Sequence, residues 1–444
     1  MARPKKNAAQ AQDTLLTLDT VPEIPVEEQP YPLPEGWKWI YLKNAYEVTS
    51  SKRIHKSDWR DSGIPFYRTR ELVKLSDYGY VKNDLFIDEE LYEAIKIKFG
   101  VPKVDDILIS GVGTIGVPYI IKDDAKFYFK DGNIIWLKSK HIFIPKFLFY
   151  LFKSPFINKQ IYDMSSGTTV DTYTIINANK TKLPLPPLEV QQCIVDRIES
   201  LFAKLDEARE KAESALESFE RRKAAILHKA FTGELTRKWR ELEKIDKSRW
   251  QKFSFKQLGE AKLGKMLDKQ KNQGQLTPYL RNINIRWFSF DLSDIAKMLA
   301  TEEDIMQFSI RKGDLFICEG GEPGRCAVWE DKEYRLIFQK ALHRFRPNKL
   351  VLSTFLCFLL KYYTIKGDLE KFFTGTTIKH LTGRSLAKIP VLLPSLPEQQ
   401  EIVRILDRIF AREQQAREAA ENVLQRIDQM KKAILARAFR GELG

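Results

Sequence analysis

LPPLEVQQCIV at Leu185–Val195 returns as LPSLPEQQEIV at Leu393–Val403, 208 residues further on. The same step carries AILHKAFTGEL (Ala225–Leu235) onto AILARAFRGEL (Ala433–Leu443). Working backwards from each opening, GTTV (Gly167–Val170) matches GTTI (Gly375–Ile378), and DILISGVGTIG (Asp106–Gly116) matches DLFICEGGEPG (Asp314–Gly324). Nearer the start of each copy the offset drifts, as with PFYR (Pro65–Arg68) and PYLR (Pro278–Arg281). The chain is thus one unit written twice, a variable globular part followed by a shared helix, with a small loop insertion between copies.

Apolar residues in the first shared segment fall at Ile194, Ile198, Leu201, Leu205, Ala208, Ala212, Ala215, Phe219 and Ile226. The second gives Ile402, Leu406, Ile409, Ala416, Ala420, Val423, Ile427, Met430 and Ile434. Alternating steps of three and four with charged flanks predict the seam of a coiled coil. Prolines before each segment (Pro184, Pro186, Pro187; Pro394, Pro397) and glycines after it (Gly233, Gly441) bound the helices. Some 40 residues give a rod of roughly 60 Å. Each stripe breaks once, at Arg222 and at Glu413. Antiparallel packing that sets these two opposite each other also sets Leu205 opposite Met430, with the crossing near Ala212 and Ala420. The alternative is that both charged residues bend to solvent.

Before each helix the sequence reads as mixed α/β. DILIS (Asp106–Ser110), VPYII (Val117–Ile121), KFYF (Lys126–Phe129) and NIIWLK (Asn133–Lys138) predict strands, whereas KFLFYLFKS (Lys146–Ser154) and STFLCFLLKYY (Ser353–Tyr363) predict short buried helices. Asp13–Pro34, with five prolines and five acidic residues, reads as an extended arm or an unstructured tail.

A net charge of +14 on a 444-residue chain that is 43% hydrophobic describes a folded basic protein suited to a polyanionic partner. Cys193, Cys318, Cys326 and Cys357 form no C-x-x-C pair, which argues against a zinc framework or disulfide scaffold and for a cytoplasmic setting. The N-terminus lacks the apolar core of a secretory signal. GVGTIG (Gly111–Gly116) has dinucleotide-site spacing, but a strand with Pro118 follows where a helix is required, and the second copy replaces the first glycine by Glu319. It reads as a glycine hairpin, either a tight turn or a close approach to DNA. GEAKLGKM (Gly259–Met266) lacks the hydroxyl and preceding strand of a phosphate-binding loop. There is no Asn-Pro-Pro-aromatic signature of an amino-methyltransferase, and the five histidines are isolated. No catalytic residue and no metal ligand is expected.

Basic and aromatic residues do cluster in the loops. Arginine and asparagine suit base edges, lysine and hydroxyls suit phosphates. The candidates in the first half are Lys52, Arg53, Lys56, Arg60, Tyr67, Arg68, Arg70, Thr114, Thr168 and Thr169. In the second they are Lys265, Lys269, Lys271, Asn272, Arg281, Asn282, Asn284, Arg286, Arg325, Thr376, Thr377 and Lys379. Arg68 and Arg281 lead as base readers, Lys56 and Lys269 as phosphate contacts.

The doubled Leu-Pro-x-Leu-x-x-Gln-Gln-x-Ile-Val openings, the doubled Ala-Phe-x-Gly-Glu-Leu endings, the GTT loops and LPEGWKWIYL (Leu33–Leu42) together resemble the specificity subunit of type I restriction–modification enzymes. The resemblance runs from about Leu33 to the end of the chain. It implies an arm at 1–34, target-recognition domains at 35–183 and 237–392, and helical spacers at 184–236 and 393–444. The expected fold is two tandem α/β target-recognition domains separated by two long antiparallel coiled-coil helices with pseudo-twofold symmetry. It further implies a non-catalytic subunit that reads a bipartite, asymmetric double-stranded DNA site, one half per domain. The partners would be two adenine-methylating subunits using S-adenosylmethionine and restriction subunits using ATP and Mg. A protein-binding coiled-coil scaffold without DNA specificity is the alternative.

Overall fold

The computed structural model describes residues 18–165, 171–246, 250–268, 272–331 and 336–443. The chain forms two compact units: residues 1–211 with 423–444, and residues 212–422. The long helices form at Leu188–Phe231 and Leu396–Ala438, 44 and 43 residues long. Each contributes its first half to one unit and its second half to the other. No helix among the described residues is long and apolar enough to cross a membrane.

In the first unit a four-stranded antiparallel sheet has the order Tyr46–Thr49, Ile134–Ser139, Ile107–Ser110, Pro118–Ile120. The second unit repeats it as Gly259–Leu263, Leu342–Pro347, Leu315–Cys318, Cys326–Val328. The central strands ILIS and LFIC are buried along their whole length, which is why they read as continuous apolar runs instead of alternating ones. A second, smaller sheet in each unit ends in a parallel pair, Phe66–Tyr67 with Tyr128–Phe129 and Tyr279–Leu280 with Ile337–Phe338. A two-stranded ribbon joins the start of each globular part to the strand before its helix: Lys38–Tyr41 with Lys182–Leu185, and Gln251–Ser254 with Pro390–Leu393.

The glutamine of each helix opening has a structural task. Gln191 is fully buried; its Oε1 accepts from Ile144 N (2.8 Å), and its Nε2 donates to Ile142 O (3.0 Å) and Pro186 O (2.9 Å). Gln399 repeats all three bonds with Leu352 N, Leu350 O and Pro394 O, each at 2.9 Å. One side chain thereby fixes the long helix to the entry of the short buried helix (Pro145–Phe152 or Ser353–Lys366). The neighbouring Gln192 and Gln400 face solvent.

The helix endings do something the repeat alone does not reveal: they pack on the other copy's domain. Phe439 is 1% exposed and meets Phe147 edge-on at 5.1 Å in the first unit. Its counterpart Phe231 meets Phe355 at 5.4 Å in the second. Leu435, Ala438 and Phe439 therefore share a core with Ile194, Val195 and Ile198. Leu227, Ala230 and Phe231 share one with Ile402 and Leu406.

Cross-helix pairs show opposite chain directions within each unit. Lys431 meets Asp206 at 2.5 Å, and Arg209 bonds Asp428, in the first unit. Arg222 makes a bidentate pair with Glu413 (3.0 and 2.9 Å), and Arg417 meets Glu220 at 3.9 Å, in the second. The two stripe breaks do meet. The apolar list for the second helix needs correction, however: Val423 and Met430 are 40% and 51% exposed and Ala416 is exposed, while Leu424 lies partly buried beside buried Ile427. The expected Leu205–Met430 contact is thus not a buried one. Lys431 and Glu413 hold inward positions where an apolar residue was expected nearby.

Over its described part the arm is packed on the first unit and is not an unstructured tail. Val21 and Ile24 are 3% and 2% exposed, and Ile24 N donates to Trp39 O at 2.8 Å, extending the ribbon. Tyr31 donates its hydroxyl to Phe439 O (3.0 Å). Cys326 and Cys357, distant in sequence, lie side by side in the second core with sulfurs 3.4 Å apart, and burial pushes the Cys326 thiol well up.

Candidate nucleic-acid interface

The loops singled out above are gathered by one hydrogen-bond scaffold, built twice. In the first unit Gly111 N donates to Asn133 O (2.8 Å), and Tyr173 N donates to Gly111 O (2.8 Å). In the second, Glu319 N donates to Ala341 O (2.9 Å), and Leu381 N donates to Glu319 O (2.7 Å). Every member is displaced by 208 from its counterpart. The hairpin's last glycine is required by packing: Gly116 and Gly324 have φ of +79° and +91°, and a Cβ there would lie 2.8 Å from Ile161 or 2.3 Å from Leu369. Only the tips are open, so the close approach made possible by that last glycine is to the protein's own helix. Thr114 is exposed at the first tip.

Around the first scaffold the turn at Asp131–Ile134 acts as a hub. Ser50 Oγ donates to Ile134 O (2.7 Å), Arg53 bonds Asp131 (3.0 Å), and Thr69 Oγ1 reaches Asn133 O (3.4 Å). Lys52 is exposed, with Nζ 5.0 Å above the Phe99 ring. Tyr67 stacks on Phe127 at 5.2 Å, and burial raises its hydroxyl pKa. Lys56 and Arg60 belong to a different place: Arg60 joins the smaller sheet and is engaged by Asp88 and two carbonyls. Thr168 and Thr169 lie outside the described residues, as do Lys269 and Lys271.

Arg68 and Arg281 occupy matching corners. Each follows a strand and opens a helical turn, with its backbone N–H taken by the third residue on, Glu71 (3.0 Å) or Asn284 (2.9 Å). Arg68 then pairs with Glu71 and Asp84, and Arg70 with the same two carboxylates. Burial would raise the Glu71 carboxyl, but the two arginines outweigh it and hold it below the ordinary range. The hydrogen bond from Arg70 likewise lowers Asp84. Arg281 donates to the carboxylate (2.7 Å) and carbonyl (2.9 Å) of Asp294, leaving Nε buried and without a partner among the described residues. A carboxylate that grips one edge of a guanidinium fixes its plane while donors remain for a further acceptor.

In the second unit Asn282 Nδ2 donates to Gly320 O (3.1 Å), and Arg325 donates to Asn282 O (3.0 Å) and Glu322 (2.9 Å). Glu322 also accepts from Trp287 Nε1 (2.6 Å). RNINIRW and EGGEPG therefore meet, and the stretch of chain leaving the GTT loop joins them through Leu381 N on Glu319 O. The GTT loop is closed by paired bonds between Thr374 and His380 (2.8 Å each), leaving Thr376 and Thr377 exposed. Arg286 pairs with Asp291 and Lys379 with Glu370, both 3.2 Å, at exposed positions.

Two candidates do not reach an open surface. Asn284 is 2% exposed and spends its amide on Asp291 O and Asp294 O, closing the turn. Lys265 is largely covered and paired with Asp304 at 2.8 Å. Asn272 is partly buried, with Nδ2 on Met266 O. Sequence reading missed the carboxylates Glu71, Asp84, Asp294 and Glu322 and the Asp131 turn. The Arg-x-x-Glu spacing at Arg68–Glu71 was a usable signal for the first. Among the described residues no group of three or more His, Cys, Asp or Glu could hold a metal ion.

Comparison with known proteins accords with this doubled construction. The family model of the type I restriction modification DNA specificity domain matches residues 34–217 and again 247–425. The chain belongs to that family of type I restriction–modification specificity subunits, with target-recognition domains. The EcoKI specificity subunit of Escherichia coli K12 is 25% identical over 313 residues, covering 69% of this chain and 67% of that protein. The EcoBI specificity subunit of Escherichia coli is 23% identical over 427 residues, covering 92% and 86%. The crystal structure of the HsdS subunit from Thermoanaerobacter tengcongensis shares the fold at TM-score 0.61 and 19% identity, covering 94% of this chain and all of that one. A chain of the structure "Structural basis underlying complex assembly and conformational transition of the type I R-M system" gives TM-score 0.71, also at 19% identity, covering 93% and 100%.

Proposed function

We propose that this chain reads a bipartite, asymmetric double-stranded DNA site, one half with each unit, and positions methylating and restriction subunits on it. The observation that carries the reading is the same scaffold, displaced by 208 residues, presenting different side chains beside a shared arginine (Arg68, Arg281): Arg70 and Thr114 in one copy, Asn282 and Glu322 in the other. Equal frames with unequal contact residues are what two readers of unequal half-sites require. Each alone would cover only a few base pairs; joined, their discrimination multiplies. The antiparallel coiled coil would set their spacing, so the intervening bases need no contact. On this reading the chain performs no chemistry, and S-adenosylmethionine, ATP and Mg act in two adenine-methylating subunits and in the restriction subunits.

The test is co-expression with the methylating partner, followed by single-molecule sequencing for N6-methyladenine. A split recognition sequence that depends on this chain is expected. Methylation at an unsplit site, or none that depends on the chain, would favour a scaffold without DNA specificity.

A further inference from the structure

The corner at Arg68 holds two arginines on one pair of carboxylates. Arg68 precedes the helix Thr69–Tyr78, Arg70 lies in its first turn, and both turn onto Glu71 and Asp84. Glu71 is 1% exposed; its Oε2 accepts from Arg68 N (3.0 Å) and Nε (3.1 Å), its Oε1 from Arg68 Nη2 (3.1 Å) and Arg70 Nε (2.8 Å). Asp84 accepts from Arg68 Nη2 (2.5 Å) at one oxygen and from Arg70 Nη2 (2.8 Å) at the other. The next residue, Leu85, takes Phe66 N (2.9 Å), which ties Asp84 to the strand leading into the corner. Thr69 Oγ1, on Asn133 O, sets the corner against the hairpin scaffold.

A guanidinium has five N–H donors in one plane. Arg68 commits Nε and both hydrogens of Nη2, which leaves the two on Nη1. Arg70 commits Nε and one hydrogen of Nη2, which leaves three at its outer end. The two side chains are 32% and 57% exposed. Both carboxyls are held below their ordinary range, so two cations and two anions cancel. A group without net charge has little pull on a phosphate. What it offers is fixed donors, suited to a neutral edge with two acceptors, and in the major groove guanine alone presents that pair, O6 and N7. The second unit does not repeat the arrangement: the positions of Arg70 and Glu71 are Ile283 and Asn284, and Arg281 pairs with Asp294 alone.

We propose that Arg68 and Arg70 read guanines at two neighbouring base pairs, with Glu71 and Asp84 as positioning residues, a specificity that rests on the DNA-reading function above. Two guanidiniums on one carboxylate oxygen suit neighbouring steps, which lie ~3.4 Å apart along a strand. The half-site of the first unit therefore carries two adjacent G·C pairs.

The test uses the full chain assembled with its methylating subunits, the site being identified by N6-methyladenine sequencing. Two adjacent G·C pairs are expected in one half-site, and Arg68→Ala and Arg70→Ala should each relax one of them. A duplex with 7-deazaguanine there, which lacks the N7 acceptor, should bind the wild-type complex about 5-fold or more weakly, whereas inosine, which keeps O6 and N7, should bind like guanine. Glu71→Gln should relax both positions together and shrink the loss caused by the deaza base. Should that variant fail to fold, the base analogues still decide, because they use the wild-type chain. If both analogues bind like guanine and Arg70→Ala weakens every duplex alike, with a salt slope lower by about 0.9, the pair holds phosphates and the proposal falls. A site without adjacent G·C pairs, or arginine variants that methylate the unchanged sequence, would also overturn it, leaving the four groups as a packing network. If no split site depended on this chain, the parent reading would fall instead.

Discussion

Gln399 holds three backbone groups for which no other hydrogen bond is seen among the described residues: Leu352 N, Leu350 O and Pro394 O. Gln399→Ala strips the partner from all three, of which the Pro394 carbonyl is buried and the other two only partly so, and the chain should lose about 1–3 kcal/mol in denaturant unfolding. Gln400→Ala, one residue on and exposed, should stay within about 0.5 kcal/mol. Arg68 and Arg281 make the complementary case on the DNA side. If they read bases, Arg68→Ala should cost about 1–3 kcal/mol on the methylated site and relax one position, while replacing a phosphate contact such as Lys52, exposed beside the first scaffold, weakens every duplex alike. Equal losses on site-bearing and random DNA would take Arg68 out of the base-reading set. At this scale the sequence showed which loops carry the basic residues but not which of those are usable. Asn284 and Lys265 look like any other Asn and Lys in a polar run. Only their tertiary partners, Asp294 and Asp304, turn them inward. Because those partners lie 10 and 39 residues away, no local pattern announces them.

The long helices were the most legible elements, since their period, proline entries and glycine exits lie in contiguous sequence. Even the register followed from two misplaced charges, Arg222 and Glu413. Periodicity fell short at Val423 and Met430, where a strict three-four count drifts off the buried face that Leu424 and Ile427 occupy. It also could not say which domain the helix ends would cover. That exchange makes a sharp expectation. Phe439→Ala, about 3–5 kcal/mol of lost core packing, should loosen the first unit and leave the second intact. Phe231→Ala should do the reverse. Hydrogen exchange resolved by segment reads both; loosening of the same unit by both substitutions would refute the exchanged packing. For the seam, Arg222→Glu and Glu413→Arg should each lower the melting temperature and largely cancel when combined, with less effect at high salt.

For the molecule as a whole, the two-reader proposal predicts that replacing residues 33–181 with another family member's first domain changes one half-site and spares the other. Sequencing of methylated sites decides, and a change in both halves would sink the idea of independent readers. One further consequence comes from the exchanged helix ends and concerns time. The second unit is a single continuous stretch, 212–422, whereas the first is completed only by 423–444. On a ribosome the first unit is therefore begun first and finished last. While the intervening stretch is made, roughly 10–40 s at about 5–20 residues per second, Phe147 and its neighbours wait without Leu435, Ala438 and Phe439. A premature stop just before those residues would spare the domain nearest to it in sequence and cripple the one synthesised earliest.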